Sequence, residues 1–364
     1  MNTDFDIIVI GAGIAGASVA SHLAASRRVL LLEMEERPGY HSTGRSLATY
    51  EANYGPAPIR ALTRAARREF DEQKLLSHRD SMFLVPDGQD KEFDALMASQ
   101  MGMRQISLVE ARTHFPLLDE AYCARIVLDP ATADIDVDLL QQNFLRRFKS
   151  HGGTLVCGQA ARSLDRAGSQ WTVRCKDHVF RGRTIVNAGG AWGDHIAGLA
   201  GARLSGLQPK RRSIAVVAPP EGHAVTSWSW IGDIAETWYC KPQSGKLLVS
   251  PAEATPVDPH DAYADDMALA EGIDRFQQAT GIEVTRIEHS WGGLRSFVAD
   301  GNPVVGYDPE IEGFFWLIGQ GGYGIQTSPA LSRLAASLVR GKAVPQDIAD
   351  EGLDLASISP GRLS

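Results

Sequence analysis

The segment Phe5-Asp6-Ile7-Ile8-Val9-Ile10-Gly11-Ala12-Gly13-Ile14-Ala15-Gly16 reads as a buried strand, a Gly-x-Gly-x-x-Gly turn and the start of a helix. That order is the phosphate-binding corner of a βαβ unit. Each glycine has its own task there: Gly11 permits the tight turn, Gly13 lets the backbone approach a pyrophosphate, and Gly16 lets the helix lie close on the strand. The helix N-terminus then presents free N–H groups and a positive dipole end to the anion. A second strand, Arg28-Val29-Leu30-Leu31-Leu32, follows and ends in Glu33. A carboxylate at that point accepts both hydroxyls of an adenosine ribose, so the two signals together predict a bound dinucleotide and leave open which one.

The rest of the composition is that of a globular protein. The chain has 364 residues, 44% of them hydrophobic and 22% charged, enough for two domains with full cores. A net charge of −8 argues against nucleic acid or an anionic membrane as the main partner, although Lys210-Arg211-Arg212 forms a local basic patch. Cys123, Cys157, Cys175 and Cys240 are widely spaced, without a Cys-x-x-Cys pair, so no metal site is expected and the thiols are read as reduced. The first strand begins by Phe5 and no apolar run approaches the roughly 20 residues of a membrane span. A cytoplasmic protein without a leader is expected, with peripheral membrane association left open.

After Glu33 comes a long polar loop, Met34 to Ser46, in which Arg37, Ser42, Thr43, Arg45 and Ser46 are candidates to bond phosphate oxygens or the edge of a ring system. Ile59, Leu62, Ala66 and Phe70 fall at helical spacing and predict a packing helix from Ile59 to Gln73, with Arg60, Arg64, Arg67 and Arg68 on its solvated side. Met82 to Val85 reads as a strand that begins a separate sheet, followed by a helix from Lys91 to Met101; Cys123 to Leu128 is a further strand. Asp136 caps a helix whose apolar face is Leu139, Leu140, Phe144 and Phe148. Thr154 to Cys157 returns to the first unit, Gln170 to Cys175 is half-buried, and Thr184 to Trp192 is a buried strand ending in small residues, a second close approach to the ligand at Gly189. From Gly206 to about Ile287 come four strands and one helix, with Trp228 and Trp230 read as core and Lys241 as a surface lysine sharing a strand face with Tyr239. The end of the chain repeats the opening logic: a strand at Phe314 to Ile318, a glycine loop at Gly319 to Gly324, and a helix through Leu338.

Taken together, Gly11 to Gly16 with Glu33, Val186 to Trp192, Gly293-Leu294-Arg295 with Asp300, Pro303 and Gly306, and Gly319 to Thr327 resemble the FAD-dependent D-amino-acid oxidase superfamily. Within it the likeness is to bacterial D-arginine dehydrogenase, carried by Pro38 to Ser46, Gln208 to Ser213 and Gly321 to Thr327. The resemblance implies an α/β fold: a Rossmann-like FAD-binding domain (residues 1–80, 150–205 and 290–364) with an inserted α+β substrate domain on a mixed or antiparallel sheet (81–149 and 206–289). It implies FAD held without a covalent bond, by Gly11, Gly13, Ile14, Ala15, Gly16, Glu33, Arg37, Ser42, Thr43, Arg45, Ser46, Ala160, Gly189, Gly321, Tyr323, Gly324, Ile325, Gln326 and Thr327. His41 is placed as the linking histidine of some relatives is, and no cysteine lies beyond Cys240 to serve instead.

The same resemblance implies oxidation of a D-amino acid by hydride transfer from Cα to flavin N5, the imine then hydrolysing to a 2-oxo acid and ammonia. Such chemistry needs a carboxylate clamp, which the planar fork of arginine supplies. By resemblance the clamp is Arg212 and Arg295, helped by the hydroxyls of Tyr54 and Tyr239, with the Gly322 carbonyl accepting from the amine. The helix after Gly324 would stabilise charge gathering at the flavin N1/O2 edge. The chain departs from the D-arginine enzyme at Thr49 and Glu51, which replace a histidine and a threonine, and at Ser81, which replaces the glutamate that pairs with the guanidinium. Glu51 or Asp80 is a candidate substitute, so the expected substrate is a basic or a broad range of D-amino acids. Two alternatives stand beside this: oxidation of glycine, N-substituted amino acids or opines, and a flavoprotein subunit that needs a partner chain. The electron acceptor, oxygen or a quinone among others, is not readable.

Overall fold

A computed structural model describes residues 3–99 and 102–363. Its first layer is a six-stranded sheet in the order Val304–Tyr307, Phe314–Ile318, Thr184–Asn187, Ile7–Ile10, Val29–Leu32, Thr154–Val156. Every pairing in it is parallel except that between Val304–Tyr307 and Phe314–Ile318. The two central strands read Ile-Ile-Val-Ile and Val-Leu-Leu-Leu because both faces are covered. Ile7, Val9, Val29 and Leu31 pack with helices Ile14–Leu23, Val137–Ser150 and Gly324–Val339. Ile8, Ile10, Leu30 and Leu32 face the other way, onto Trp171 and Phe180 of a three-stranded sheet spanning Ser163 to Gly182. A period of two thus divides each apolar run between two cores.

The second large sheet has nine strands and is mixed. Ser81–Val85 lies parallel to Trp230–Asp233, so the strand read at Met82 and the strands after Gly206 share one sheet. All its other pairings are antiparallel. Helix Asp266–Thr280 covers one face, burying Leu269, Phe276 and Ala279 against Trp238 and Val249. A small sheet of Thr49–Tyr50, Ala133–Ile135 and Leu76–His78 packs Tyr50, Ala133 and Ile135 into the core of the six-stranded sheet.

The boundaries differ from the sequence reading in two places. Strand Ile287–Phe297 pairs along its length with Gln208–Val217, so the nine-stranded sheet runs on to Phe297 rather than ending near 290. Helix Val137–Ser150 is capped by Asp136 as expected, but Leu140, Phe144 and Phe148 pack into the core of the six-stranded sheet. Periodicity reveals which face of a helix is apolar and not which neighbour receives it. The helix expected over Lys91 to Met101 is Asp90–Ser99, and its last two expected residues lie outside those described. Among the described residues no helix is long and apolar enough to cross a membrane.

Candidate active site

The carboxyl ends of the central strands open into a cleft of about 440 Å³, where the glycine turns of the chain converge. Gly11 has φ +100°, and a Cβ there would stand 2.4 Å from the Ala188 carbonyl oxygen. A Cβ on Gly16 would stand 1.8 Å from the Gly11 oxygen, so helix Ile14–Leu23 reaches the strand only without one. Gly13 is different: its added Cβ meets nothing closer than Thr43 Oγ1 at 3.3 Å and faces the cleft. Two of these glycines serve the fold, and the third leaves room for a ligand.

The polar loop after Glu33 folds back over this turn. Thr43 Oγ1 accepts from the Ile14 N–H at 2.9 Å, and Ser42 donates to the Leu294 carbonyl at 2.7 Å. Glu33 accepts from the N–H groups of Ala12 (2.7 Å) and Glu35 (3.0 Å), while burial pushes its carboxyl above the usual range. Ile14, Ala15, Ala160 and Gly189 also line the cleft, as do Gly321, Gly322, Gly324 and Ile325, while Ser46 lines both it and the pocket beside it. The cleft therefore fits an extended dinucleotide: a bare glycine turn at a helix N-terminus, an acid one strand away, and a second glycine loop at the N-terminus of helix Gly324–Val339.

Some expected contacts fall elsewhere. Arg37 is exposed, its guanidinium 5.7 Å from the Tyr40 ring centre, and does not line the cleft. Arg45 lines it but spends its guanidinium on Asp261 and on the carbonyls of Ala262 (2.7 Å) and Gly292 (3.1 Å). Tyr323 packs on Tyr54 and Phe297, and Thr327 turns its hydroxyl back to the Tyr323 carbonyl at 2.8 Å, so neither side chain reaches the cleft. Gln326 lines a neighbouring pocket, with its Oε1 accepting the Glu51 N–H at 3.1 Å. His41 lines the cleft with Nε2 2.8 Å from Glu35 Oε1 and its ring 4.6 Å from that of Trp192.

That neighbouring pocket, of about 100 Å³, joins the cleft at Arg212, Tyr239, Arg295 and Gly322. Arg212 stands opposite Gly293 in the antiparallel pair and Arg295 two residues further along, so the two guanidinium groups project diagonally from one face. A Cβ on Gly322 would lie 2.9 Å from Arg295 Nη1, which makes glycine the residue that admits the guanidinium. Arg212 donates through Nε to the Glu253 carbonyl at 2.8 Å. Among the described residues neither arginine has a salt-bridge partner. Burial and then repulsion by Arg295 lower the pKa of Arg212; for Arg295 burial acts the same way, but Tyr54, Tyr239 and Glu236 outweigh it and hold it charged. Enclosed cations that no salt bridge closes off can receive an anion.

The far side of the pocket is aromatic and acidic. Phe83, Trp230 and Tyr239 form one wall, with Trp230 and Tyr239 stacked 5.6 Å apart and Phe83 tilted against Trp230. Thr49 and Glu51 line it; burial, reinforced by Asp129 and Glu236, pushes the Glu51 carboxyl up to about 7. Asp233 and Glu236 line it as well, and sequence reasoning missed both. Asp233 is 3% exposed with Oδ1 unpartnered, and Glu236 accepts from the Tyr54 hydroxyl at 3.3 Å. They sit in a turn where Glu236 is left-handed (φ +54°), a conformation with no signal at a glutamate in sequence. Asp80 instead pairs with His78 and His114 at 3.0 Å each and cannot serve the pocket. Ser81 is fully buried behind it, Trp230 is only half-buried, and Lys241 is buried rather than on the surface.

A dinucleotide cleft joined to a smaller pocket with two enclosed arginines between them suits a flavin-dependent oxidoreductase that takes a small anionic substrate. Residues 6–338 match the family of FAD dependent oxidoreductases termed DAO, and the chain belongs to that family and depends on FAD. It is 30% identical over 176 residues to glycine oxidase of Geobacillus kaustophilus, covering 47% of this chain and 44% of that protein. It is 23% identical to hydrogen cyanide synthase subunit HcnC of Pseudomonas aeruginosa, covering 96% and 95%. The chain spans 34% of the length of another curated relative it matches, the FAD-dependent oxidoreductase domain-containing protein 1 of Xenopus laevis. The crystal structure of the Geobacillus kaustophilus glycine oxidase superposes with a TM-score of 0.83 at 21% identity, covering 98% of each chain.

Proposed function

We propose that the protein oxidises D-amino acids to 2-oxo acids and ammonia through an imine, as the likeness to the D-amino-acid oxidase superfamily implies, with a basic or a broad range of side chains. The observation that carries this reading is the unpaired arginine couple, Arg212 and Arg295, at the junction of the two cavities. Bound FAD supplies the two-electron acceptor, held non-covalently by the glycine turns. Arg212 and Arg295 hold the substrate carboxylate, Tyr54 and Tyr239 donate hydroxyls beside it, and the Gly322 carbonyl accepts from the amine. With no side-chain base required, the amine enters the step unprotonated, and the imine hydrolyses in water after release.

Three acids, Glu51, Asp233 and Glu236, face the same pocket as the two arginines. An amino acid with a cationic side chain places its carboxylate at one end and its cation at the other, satisfying both. The expected result is that KM for D-arginine falls as pH rises through about 7, where Glu51 ionises, while KM for D-leucine does not, and that Glu51→Gln removes the difference. Steady-state kinetics from pH 5.5 to 9 check this. Stability carries the same signature: the folded carboxyl keeps its proton between the ordinary value of 4.5 and about 7, so stability declines as pH rises across that window. Glu51→Gln is then more stable than the parent by about 3 kcal/mol at pH 8, and the difference vanishes below about pH 4.

The relatives named glycine oxidase favour a second reading, oxidation of glycine or of N-substituted amino acids. A pocket of about 100 Å³ beyond the arginines speaks for a substrate with a side chain, which glycine lacks. The relative named as a subunit supports a third, a chain that turns over only with a partner. Anaerobic bleaching of the flavin band by D- and L-amino acids, glycine, sarcosine and an opine separates them. Rapid bleaching by D-amino acids alone supports the first, bleaching by glycine or secondary amines alone replaces it with the second, and no bleaching leaves the third.

A further inference from the structure

Lys241 lies on strand Tyr239–Gln243, two residues from Tyr239 and therefore on the same strand face. Its side chain is 3% exposed, and it lines neither cavity. The ammonium has three acceptors around it: Asp134 Oδ1 at 2.9 Å, the Leu47 carbonyl, and the Ala48 carbonyl at 3.5 Å. Burial pushes its pKa down, and Asp134 pulls it back. Asp134 in turn receives Arg79 Nε at 2.7 Å, and Arg79 reaches the Thr226 and Trp228 carbonyls. A buried charge that touches neither substrate nor cofactor space is costly, and what it holds here is backbone.

That backbone matters to both cavities. Leu47 lines the dinucleotide cleft and the substrate pocket, and Ala48 lines the pocket. The segment leads into Thr49–Tyr50, a strand of only two residues paired to Asp134 and Ala133. So short a strand does not fix its own position. A tetrahedral ammonium with three donors matches one carboxylate and two carbonyls, which a planar guanidinium does not.

We propose that Lys241 is a positioning residue, which pins the Leu47–Ala48 wall shared by the two cavities to the strand that carries Tyr239. The ion pair with Asp134 orients the ammonium, and the carbonyl bonds do the positioning. Loss of the ion pair and loss of the pin are separable, because Asp134→Asn leaves the lysine its two carbonyls, whereas Lys241→Met removes them. The double variant Lys241→Met/Asp134→Asn carries neither charge and guards against a single variant that fails to fold.

The test compares the three variants as FAD-loaded proteins by visible circular dichroism of the bound flavin, by thermal melting, and by KM and kcat. Expected are an altered flavin dichroism and a KM raised about ten-fold or more in both variants that lack Lys241, with Asp134→Asn near the parent in both readouts however much stability it loses. The idea is overturned if the lysine variants keep the parent dichroism and KM, or if all three variants shift together in proportion to their melting temperatures. Only the KM arm rests on the proposed amino-acid substrate. The dichroism is read without substrate, so a wrong substrate class and a wrong role for Lys241 give different results.

Discussion

Arg295→Met is expected to lower kcat/KM for D-amino acids about a thousand-fold while the protein keeps its fold and its FAD. The arginine is enclosed beside Gly322, Tyr54 and Tyr239, and among the described residues its charge makes no direct salt bridge, Glu236 acting on it only from beyond salt-bridge reach. Its natural partner is therefore the substrate's, and cutting one arm of a charged, water-excluded clamp costs about 4 kcal/mol, or three powers of ten. Methionine keeps length and apolar contact, so the change is in charge and hydrogen bonding rather than volume. Arg295→Lys restores the charge without the fork and is expected to recover part of the loss, chiefly in KM. The discriminating comparison is between an amino acid and the amine that lacks its carboxylate. If the variant loses activity on the amine as steeply as on the amino acid, Arg295 supports the flavin or the fold and the clamp is refuted.

The clamp shows what a sequence carries and what it does not. Gly11, Gly13 and Gly16 were readable because each acts on atoms within a few residues or on the strand beside it, and the structure gives each a distinct steric reason. The division of Ile7–Ile10 and Val29–Leu32 between two cores follows from alternation alone. Arg212 and Arg295 were nominated by resemblance; what puts them on one face is a strand register that composition does not encode. Asp233 and Glu236 went unseen because a left-handed glutamate in an ordinary turn leaves no pattern. Lys241 was misread as a surface lysine because its burial depends on Asp134 and on carbonyls nearly two hundred residues away in the chain. Asp80 was a candidate for the pocket until His78 and His114 were seen to claim it. For Lys241 and for His114 at Asp80 the deciding contact is distant in sequence, and for Glu236 it is a turn conformation that the residue type does not announce.

Gly13→Asp tests the other end of the site, and it is expected to abolish FAD retention while leaving the protein folded. Gly13 is the N-cap of helix Ile14–Leu23 at φ −68° and ψ −175°, an extended conformation open to any residue. Its added Cβ has no neighbour nearer than Thr43 Oγ1 at 3.3 Å. Aspartate is among the best N-caps, and its carboxylate, set where the dipole end is positive, satisfies helix N–H groups that a phosphate would otherwise meet. The substitution thus gives the helix an internal anion and presents that negative charge to the pyrophosphate. The expected protein is colourless as purified, with far-UV circular dichroism like the parent's and an apoprotein melting point equal to or above that of the stripped parent. FAD affinity, followed by quenching of flavin fluorescence, falls more than about a hundred-fold, since like charges brought together in a partly enclosed site cost several kcal/mol. Gly16→Ala is the control with the opposite cause: its Cβ would stand 1.8 Å from the Gly11 oxygen, so it damages the turn itself and lowers the melting point of the apoprotein. A yellow Gly13→Asp protein with unchanged affinity would mean that the pyrophosphate does not approach this glycine, and the cradle would have to be sought around Gly189 and Gly321 instead.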